Sequence, residues 1–172
     1  MRLVRLIEAH SDALSQGLTE QIRKSDRTSD FRKIPADELR LAVIGVYRNL
    51  GDWLLQKTEA DIAARFLAVG ARRAAEGIRL RQLVWAITLS RERLWQFLRH
   101  EGFADNIVAL HGEIELQRLL NQFFDRALYY AVLGYEEAEP SSTKGDLARA
   151  RDLATSIGLL AEKTVSPEVL ED

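Results

Sequence analysis

The chain has 172 residues, of which 29% are charged and 47% hydrophobic, and its formal charge is −2. This length fits one well-buried domain with a short appendage, and the near-neutral charge predicts no general attraction to nucleic acid or to an anionic membrane. The absence of cysteine excludes disulfides, thiol nucleophiles and thiolate metal sites. Only 3 Pro and 10 Gly favour helix almost throughout. No apolar run approaches the about 20 residues of a membrane helix, so we expect a cytoplasmic protein.

Two amphipathic helices with a loop between them are predicted for the first 57 residues. Apolar side chains at steps of three and four predict helices over 2–24 and 36–57, and the charged run at 25–33 predicts a loop. The second helix contains Gly45 and Gly51, each of which costs about 1 kcal/mol relative to Ala in a helix interior. We expect that a neighbouring helix approaches closely at these glycines.

The third helix carries signals at both of its ends. Thr58 followed by Asp61 resembles an N-cap with an acidic residue in the first turn, so the helix is predicted to start there and to run to about residue 76. Gly77 suits a left-handed stop.

The stretch 77–99 is so apolar that it is predicted to be a central helix, packed on most sides by the others. Arg91 interrupts its main apolar series, whose members are Leu80, Val84, Ile87, Leu94 and Leu98. One interpretation is a stem that lies along the apolar surface while the guanidinium reaches water. The other is a buried or interface ion pair, with Glu113 or Asp125 of the last long helix as the acidic partner.

A long helix is predicted over 107–133, where it would span about 40 Å and end at Gly134. The proline, serines and acidic residues of 136–145 predict a linker, and 146–172 contains a short amphipathic helix and a tail. The domain organisation is therefore a helical domain over 1–135, a linker and a C-terminal helix. The apolar excess of the long helix and the small contact residues of the terminal helix predict a dimer or partner interface at Leu119, Phe123, Leu147, Ala154 and Ile157.

The polar residues form no catalytic or metal-binding motif. His111 and Glu113 have the H-x-E spacing of zinc deaminases, but that site also needs cysteine. There is no glycine-rich phosphate loop and no H-E-x-x-H, and Ser90 has no histidine nearby in sequence. We therefore expect no enzyme activity and no cofactor or metal. The alternative is haem or another small ligand in a globin-like pocket, with His100 or His111 facing iron.

Three patterns support a resemblance to a known family: P-A-D-E-L-R at 35–40, R-R-A-A-E-G-I-R-L-R-Q-L-V-W-A at 72–86 and R-E-R-L-W-Q-F-L at 91–98. With the aromatic-rich last helix, they make the core similar to the N-terminal domain of the RsbRD type, found ahead of output modules in bacterial stress-signalling antagonists and some histidine kinases. The resemblance implies a globin-like fold without haem, a tendency to dimerise, and a signal passed to something C-terminal.

The sequence thus predicts a single all-α domain of about six helices, either globin-like or an orthogonal bundle. We expect a non-catalytic sensory or regulatory domain of bacterial signal transduction, of the stress-signalling or two-component kind. Its expected partners are a second copy of the chain and a signalling protein or C-terminal output module, with no nucleic acid and no membrane. Because only a linker and a short helix follow the core, we expect either a stand-alone regulator or the sensory part of a longer protein.

Overall fold

The computed structural model describes residues 2–100 and 107–139, except for the side chains of 107–111 and 113. Within these residues the chain is all-helical, with seven α-helices and one 3₁₀ helix and no strand. In chain order the elements are α1 (Arg2–Ala9), α2 (Ser11–Lys24), the 3₁₀ helix (Asp26–Lys33), α3 (Ala36–Tyr47), α4 (Leu50–Leu55), α5 (Glu59–Ala75), α6 (Leu80–His100) and α7 (Ile107–Ala138).

The prediction of about six helices was too low, because two predicted helices are divided. The first breaks at His10, whose Nδ1 lies 2.9 Å from the backbone oxygen of Leu6 and whose backbone leaves the helical region. The second breaks at Asn49, with φ −118° and ψ 30°. This second break turns α4 toward α1, where Glu8 accepts a hydrogen bond of 2.8 Å from the backbone N–H of Gly51.

The predicted loop at 25–33 was also wrong, because it forms two short helical turns joined by a kink at Thr28. Thr28 is fully buried, and its hydroxyl donates a hydrogen bond of 2.5 Å to the backbone oxygen of Ile22. Phe31 is buried in the core. The remaining side chains of this element are mostly charged, and only Thr28 and Phe31 are buried. Two buried residues form no periodic apolar pattern, so the sequence did not indicate a helix here.

Both predicted boundaries of α5 are confirmed. The Thr58 hydroxyl accepts a hydrogen bond of 3.2 Å from the backbone N–H of Asp61, and the Asp61 carboxylate accepts one of 2.8 Å from the backbone N–H of Thr58. This reciprocal capping box satisfies two backbone donors at the helix start. Gly77 has φ 68°, the left-handed conformation expected of a glycine stop.

The closest helix crossing joins α5 to α7. A Cβ placed on Gly70 of α5 would lie 2.0 Å from the backbone oxygen of Ala131, and one placed on Gly134 of α7 would lie 2.2 Å from the backbone oxygen of Leu67. Gly134 is therefore a contact residue inside α7. The prediction that the helix ends at Gly134 was wrong. The helix continues to Ala138 and takes in the first residues of the predicted linker, while 140–172 lie outside the described residues.

The helix α6 is buried on one side, which corrects the prediction of a central helix packed on most sides. Its buried residues are Gln82, Leu83, Ala86, Leu89, Leu94 and Leu98. Much of the predicted apolar series is only half-buried, as are the large aromatic side chains Trp85, Trp95 and Phe97. Large rings can cover the rim of a core while one edge stays in water, and this is why apolar content overstated the burial of α6.

A bidentate ion pair joins the 3₁₀ helix to the start of α6. The Asp30 carboxylate accepts hydrogen bonds of 2.7 Å from Nε and 3.0 Å from Nη2 of Arg79. Lys33 lies 3.9 Å from the same carboxylate, and the side-chain oxygen of Gln82 accepts a hydrogen bond of 2.8 Å from the backbone N–H of Asp30. The hydrogen bonds from Arg79 lower the pKa of Asp30 to about 2.

This pair predicts a pH dependence of stability in acid. Because the pKa of Asp30 is depressed on folding from 3.8, its contribution is complete above about pH 4 and is lost as the pH falls toward 2. In Arg79→Met we expect the Asp30 pKa to rise toward its ordinary value of 3.8, because the side-chain hydrogen bonds that lower it most are lost, and carboxyl NMR titration measures this rise. The matched control is Arg32→Met, which removes the exposed pair of Arg32 with Asp26. An unchanged Asp30 titration in Arg79→Met would contradict the assignment.

Candidate functional site

An apolar cavity of about 110 Å³ lies among α2, α3, α5, α6, α7 and the 3₁₀ helix. Ligand pockets usually enclose about 300–1,000 Å³, so this cavity admits only a small guest. Its wall is formed mainly by aliphatic and aromatic side chains, including Ile22, Phe31, Leu39, Val43, Val46, Val69, Leu83 and Phe124. Four polar side chains interrupt that wall: Tyr47, Arg65, Arg73 and Ser90.

Two of these polar side chains are satisfied within the protein. The buried Tyr47 donates a hydrogen bond of 2.9 Å from its hydroxyl to the backbone oxygen of Ser90, and burial raises the pKa of Tyr47 well above its usual value. Arg73 is only 4% exposed, donates to the Glu76 carboxylate and has its guanidinium carbon 5.9 Å from the ring centre of Phe31. Both groups therefore have partners without a ligand.

Arg65 differs from them because no carboxylate in the described residues forms an ion pair with it. Its Nη2 donates a hydrogen bond of 3.2 Å to the backbone oxygen of Ala42, and its Nε is buried without any acceptor. The guanidinium carbon lies 5.5 Å from the ring centre of Trp53. Burial lowers the pKa of Arg65, yet an arginine remains charged at neutral pH. The cavity wall thus contains a cation that no anion among the described residues neutralises.

Gly45 makes room for that guanidinium. A Cβ on Gly45 would lie 3.6 Å from Nη2 of Arg65, and no neighbouring helix backbone comes closer. At Gly51 the nearest atom is the carboxylate oxygen of Glu8, 3.1 Å from a Cβ position. The predicted close approach of a neighbouring helix is therefore wrong at Gly45, whereas at Gly51 side chains of α1 do come close.

Arg91, the cation that the sequence singled out, lies at the surface. Its Nη1 is 3.3 Å from Oδ1 of Asp125, but the two side chains are 37% and 70% exposed. Asp125 is one of the two acidic partners that the sequence proposed, but the prediction of a buried pair is corrected, because α7 presents Asp125 on its outer side where water reaches both groups. Such a pair contributes about 0–1 kcal/mol.

Sequence reasoning missed Arg65, although the signal was present. Ile62, Phe66 and Val69 form the inner face of α5, and Arg65 stands three residues after Ile62 and four before Val69. A charge within that stripe is the same irregularity that drew attention to Arg91. The inner face of α5 also includes Arg73, which the structure buries.

The predicted interface residues have different positions in the fold. Phe123 is 2% exposed, and its ring centre lies 5.8 Å from that of Phe66 and 5.3 Å from that of Phe124, so it belongs to the core and not to an interface. Leu119 is half-buried on the flank of α7. The other predicted positions, Leu147, Ala154 and Ile157, lie outside the described residues.

Of the two histidines proposed for haem, His100 does not lie at the cavity. His100 is exposed at the end of α6 and does not line it, and the side chain of His111 is outside the described part of the chain. Among the residues that the structure describes, no cluster of three or more His, Asp or Glu side chains could hold a metal ion. In the same residues no helix combines the length and apolar character needed to cross a bilayer.

Comparisons with known proteins identify the family of the chain. Neither the curated proteins nor the solved structures gave a match. A family model described as the RsbT co-antagonist protein rsbRD N-terminal domain matches residues 12–151. The matched region covers well over half of the chain and contains all the residues that line the cavity. The resemblance found in the sequence patterns is thereby confirmed, and the chain belongs to the RsbRD N-terminal domain family.

Proposed function

We propose that the chain is a non-catalytic, cytoplasmic regulatory domain of bacterial stress signalling that acts as a homodimer and has a globin-like arrangement of helices. The observation that carries this proposal is the family match over residues 12–151. In this account the domain receives a signal and passes it to a signalling protein or to an output module on its C-terminal side.

The outer face of α7 supports a second copy of the chain as partner. Ile114 is 57% exposed and Tyr129 62% exposed. They are separated by about four helical turns, or about 22 Å, so they lie on the same outer side of the helix. Single exposed apolar residues are common on protein surfaces, but these two mark the ends of one exposed strip of α7 that a partner helix can cover, with polar and charged side chains exposed between them. Because Phe123 lies in the core, the proposed interface consists of this strip, with Leu119 at the edge of the strip.

The crossing of α5 with α7 supports the proposal that a structural change at α7 reaches the cavity. Backbone contact at Gly70 and Gly134 leaves no space for the two helices to slide without losing packing. The pair should therefore move as one rigid unit, so that a change in how α7 packs against a partner is carried to α5 and to the cavity wall.

Glutamate substitutions on α7 test the dimer. In Ile114→Glu and Tyr129→Glu we expect the dimer dissociation constant to rise by at least about tenfold, because each would bury a charge in an apolar contact. Sedimentation equilibrium over a wide concentration range measures it. Both side chains are exposed in the monomer, so circular dichroism should show an unchanged fold. The control is Leu41→Glu on α3, where the side chain is 65% exposed.

Two results would contradict this proposal. The first is a parent chain that remains monomeric at every practical concentration. The second is a parent dimer that both α7 variants leave as tight as Leu41→Glu does, since the interface would then lie elsewhere.

A further inference from the structure

The cavity combines an apolar body with one unneutralised cation. Its lining is aliphatic and aromatic over most of its wall, which favours the hydrocarbon part of a guest. Tyr47 and Arg73 have partners within the protein, so neither requires a ligand. Of the two charged lining residues, Arg65 has no anionic partner and its Nε no hydrogen-bond acceptor within the part of the chain that the structure describes.

An anion beside Arg65 would offset a cost that the free protein bears. A partly buried guanidinium without a counter-charge is unfavourable, because the Ala42 carbonyl and the Trp53 ring replace only part of the water that burial removes. The guanidinium presents a planar fork of N–H donors that matches a carboxylate. A carboxylate therefore supplies both the charge and the acceptor that Arg65 lacks.

The size of the cavity limits the rest of the ligand. A protein cavity of about 150 Å³ accommodates the six carbons of benzene, so a cavity of about 110 Å³ accommodates an apolar body of about four or five carbons. We propose that this cavity binds a small carboxylate with a short apolar chain, with the carboxylate at Arg65 and the chain among Val43, Val69 and Ile87. Such a ligand would contact α3, α5 and α6 at the same time and so add packing contacts between these three helices.

This proposal does not depend on dimerisation. Arg65, Val43 and the other lining residues belong to one copy of the chain, so a monomer can bind the ligand. A chain that binds a carboxylate and stays monomeric would contradict the proposed dimer and leave the ligand site standing.

Isothermal titration of the full chain with three six-carbon probes tests the site. We expect hexanoate to bind at least about tenfold more tightly than 1-hexanol, which has the same chain without the charge, and hexylammonium to bind more weakly than either. Hexanoate should also raise the midpoint of thermal unfolding. Equal binding of hexanoate and 1-hexanol, or no binding of hexanoate, would overturn the proposal.

Variants locate the binding. Arg65→Met keeps an apolar stem and removes the charge, so we expect hexanoate affinity to fall at least about tenfold while 1-hexanol affinity is unchanged. Val43→Phe fills the cavity and should weaken both probes. Arg91→Met is the matched control, since it removes an arginine at the surface. Hexanoate binding that survives Arg65→Met would overturn the assignment, and if that variant fails to fold, the three probes on the parent chain decide alone.

Discussion

Gly70→Ala is expected to lower the free energy of unfolding by about 3 kcal/mol or more. The new Cβ would lie 2.0 Å from the backbone oxygen of Ala131 and 2.7 Å from the backbone nitrogen of Tyr135. Backbone atoms of a helix cannot rotate away as a flexible side chain can, so α5 and α7 must separate and lose packing along their whole crossing. Chemical denaturation followed by circular dichroism measures the loss.

Gly134→Ala should have a similar effect from the other side, because its Cβ would lie 2.2 Å from the backbone oxygen of Leu67. The double variant should lose less than the sum of the two, since one separation of the helices relieves both clashes. Gly112→Ala is the control within α7, where no atom lies within 4 Å, and it should be neutral or stabilising by up to about 1 kcal/mol. A Gly70→Ala protein as stable as the parent would contradict the crossing.

Phe123→Ala is expected to lower the free energy of unfolding by about 3–5 kcal/mol. Phe123 is 2% exposed and contacts the rings of Trp53, Phe66 and Phe124, so its removal leaves a cavity that these neighbours cannot close. Denaturant unfolding at low protein concentration, where the monomer dominates, measures the effect.

The control for Phe123 lies on the same helix. Tyr129→Ala removes an aromatic side chain that is 62% exposed, and the monomer should lose about 0.5 kcal/mol or less. If Phe123→Ala left monomer stability unchanged and altered only the oligomeric state, Phe123 would be an interface residue after all.

The parts of the fold that local chemistry determines could be predicted from the sequence. The start of α5 follows from the spacing of Thr58 and Asp61, whose two hydrogen bonds form within one turn. Gly77 likewise ends its segment through its own backbone conformation. The family could be recognised because its patterns also lie in short stretches, notably 72–86 and 91–98.

The parts that depend on distant contacts could not be predicted in this way. Gly134 suggested a helix end, but its role is set by Leu67 on another helix, and a contact glycine and a stop glycine look alike in a sequence. Phe123 and Tyr129 are both aromatic residues of α7, yet the side chain of Phe123 lies in the core and that of Tyr129 lies in water. Periodicity does not indicate which side a partner covers.

The candidate site shows the same limit with charged residues. Arg65 and Arg91 both interrupt apolar stripes, so the sequence indicates that each lies near the core. The packed structure shows that water reaches the pair of Arg91 and Asp125, whereas Arg65 is partly buried with no anion beside it among the described residues. The sequence thus shows each arginine as an interruption of an apolar stripe, but only the fold shows which of the two lines the cavity.

The solution mass of the chain tests the proposed regulatory dimer most directly. Light scattering should be recorded over a wide concentration range for the full chain and for a version that ends at Ala138, which retains the outer face of α7. We predict a dimer in both, because the proposed interface lies on that helix. A dimer lost on truncation would move the assembly element to 139–172, and a monomer in both would contradict the proposed homodimer.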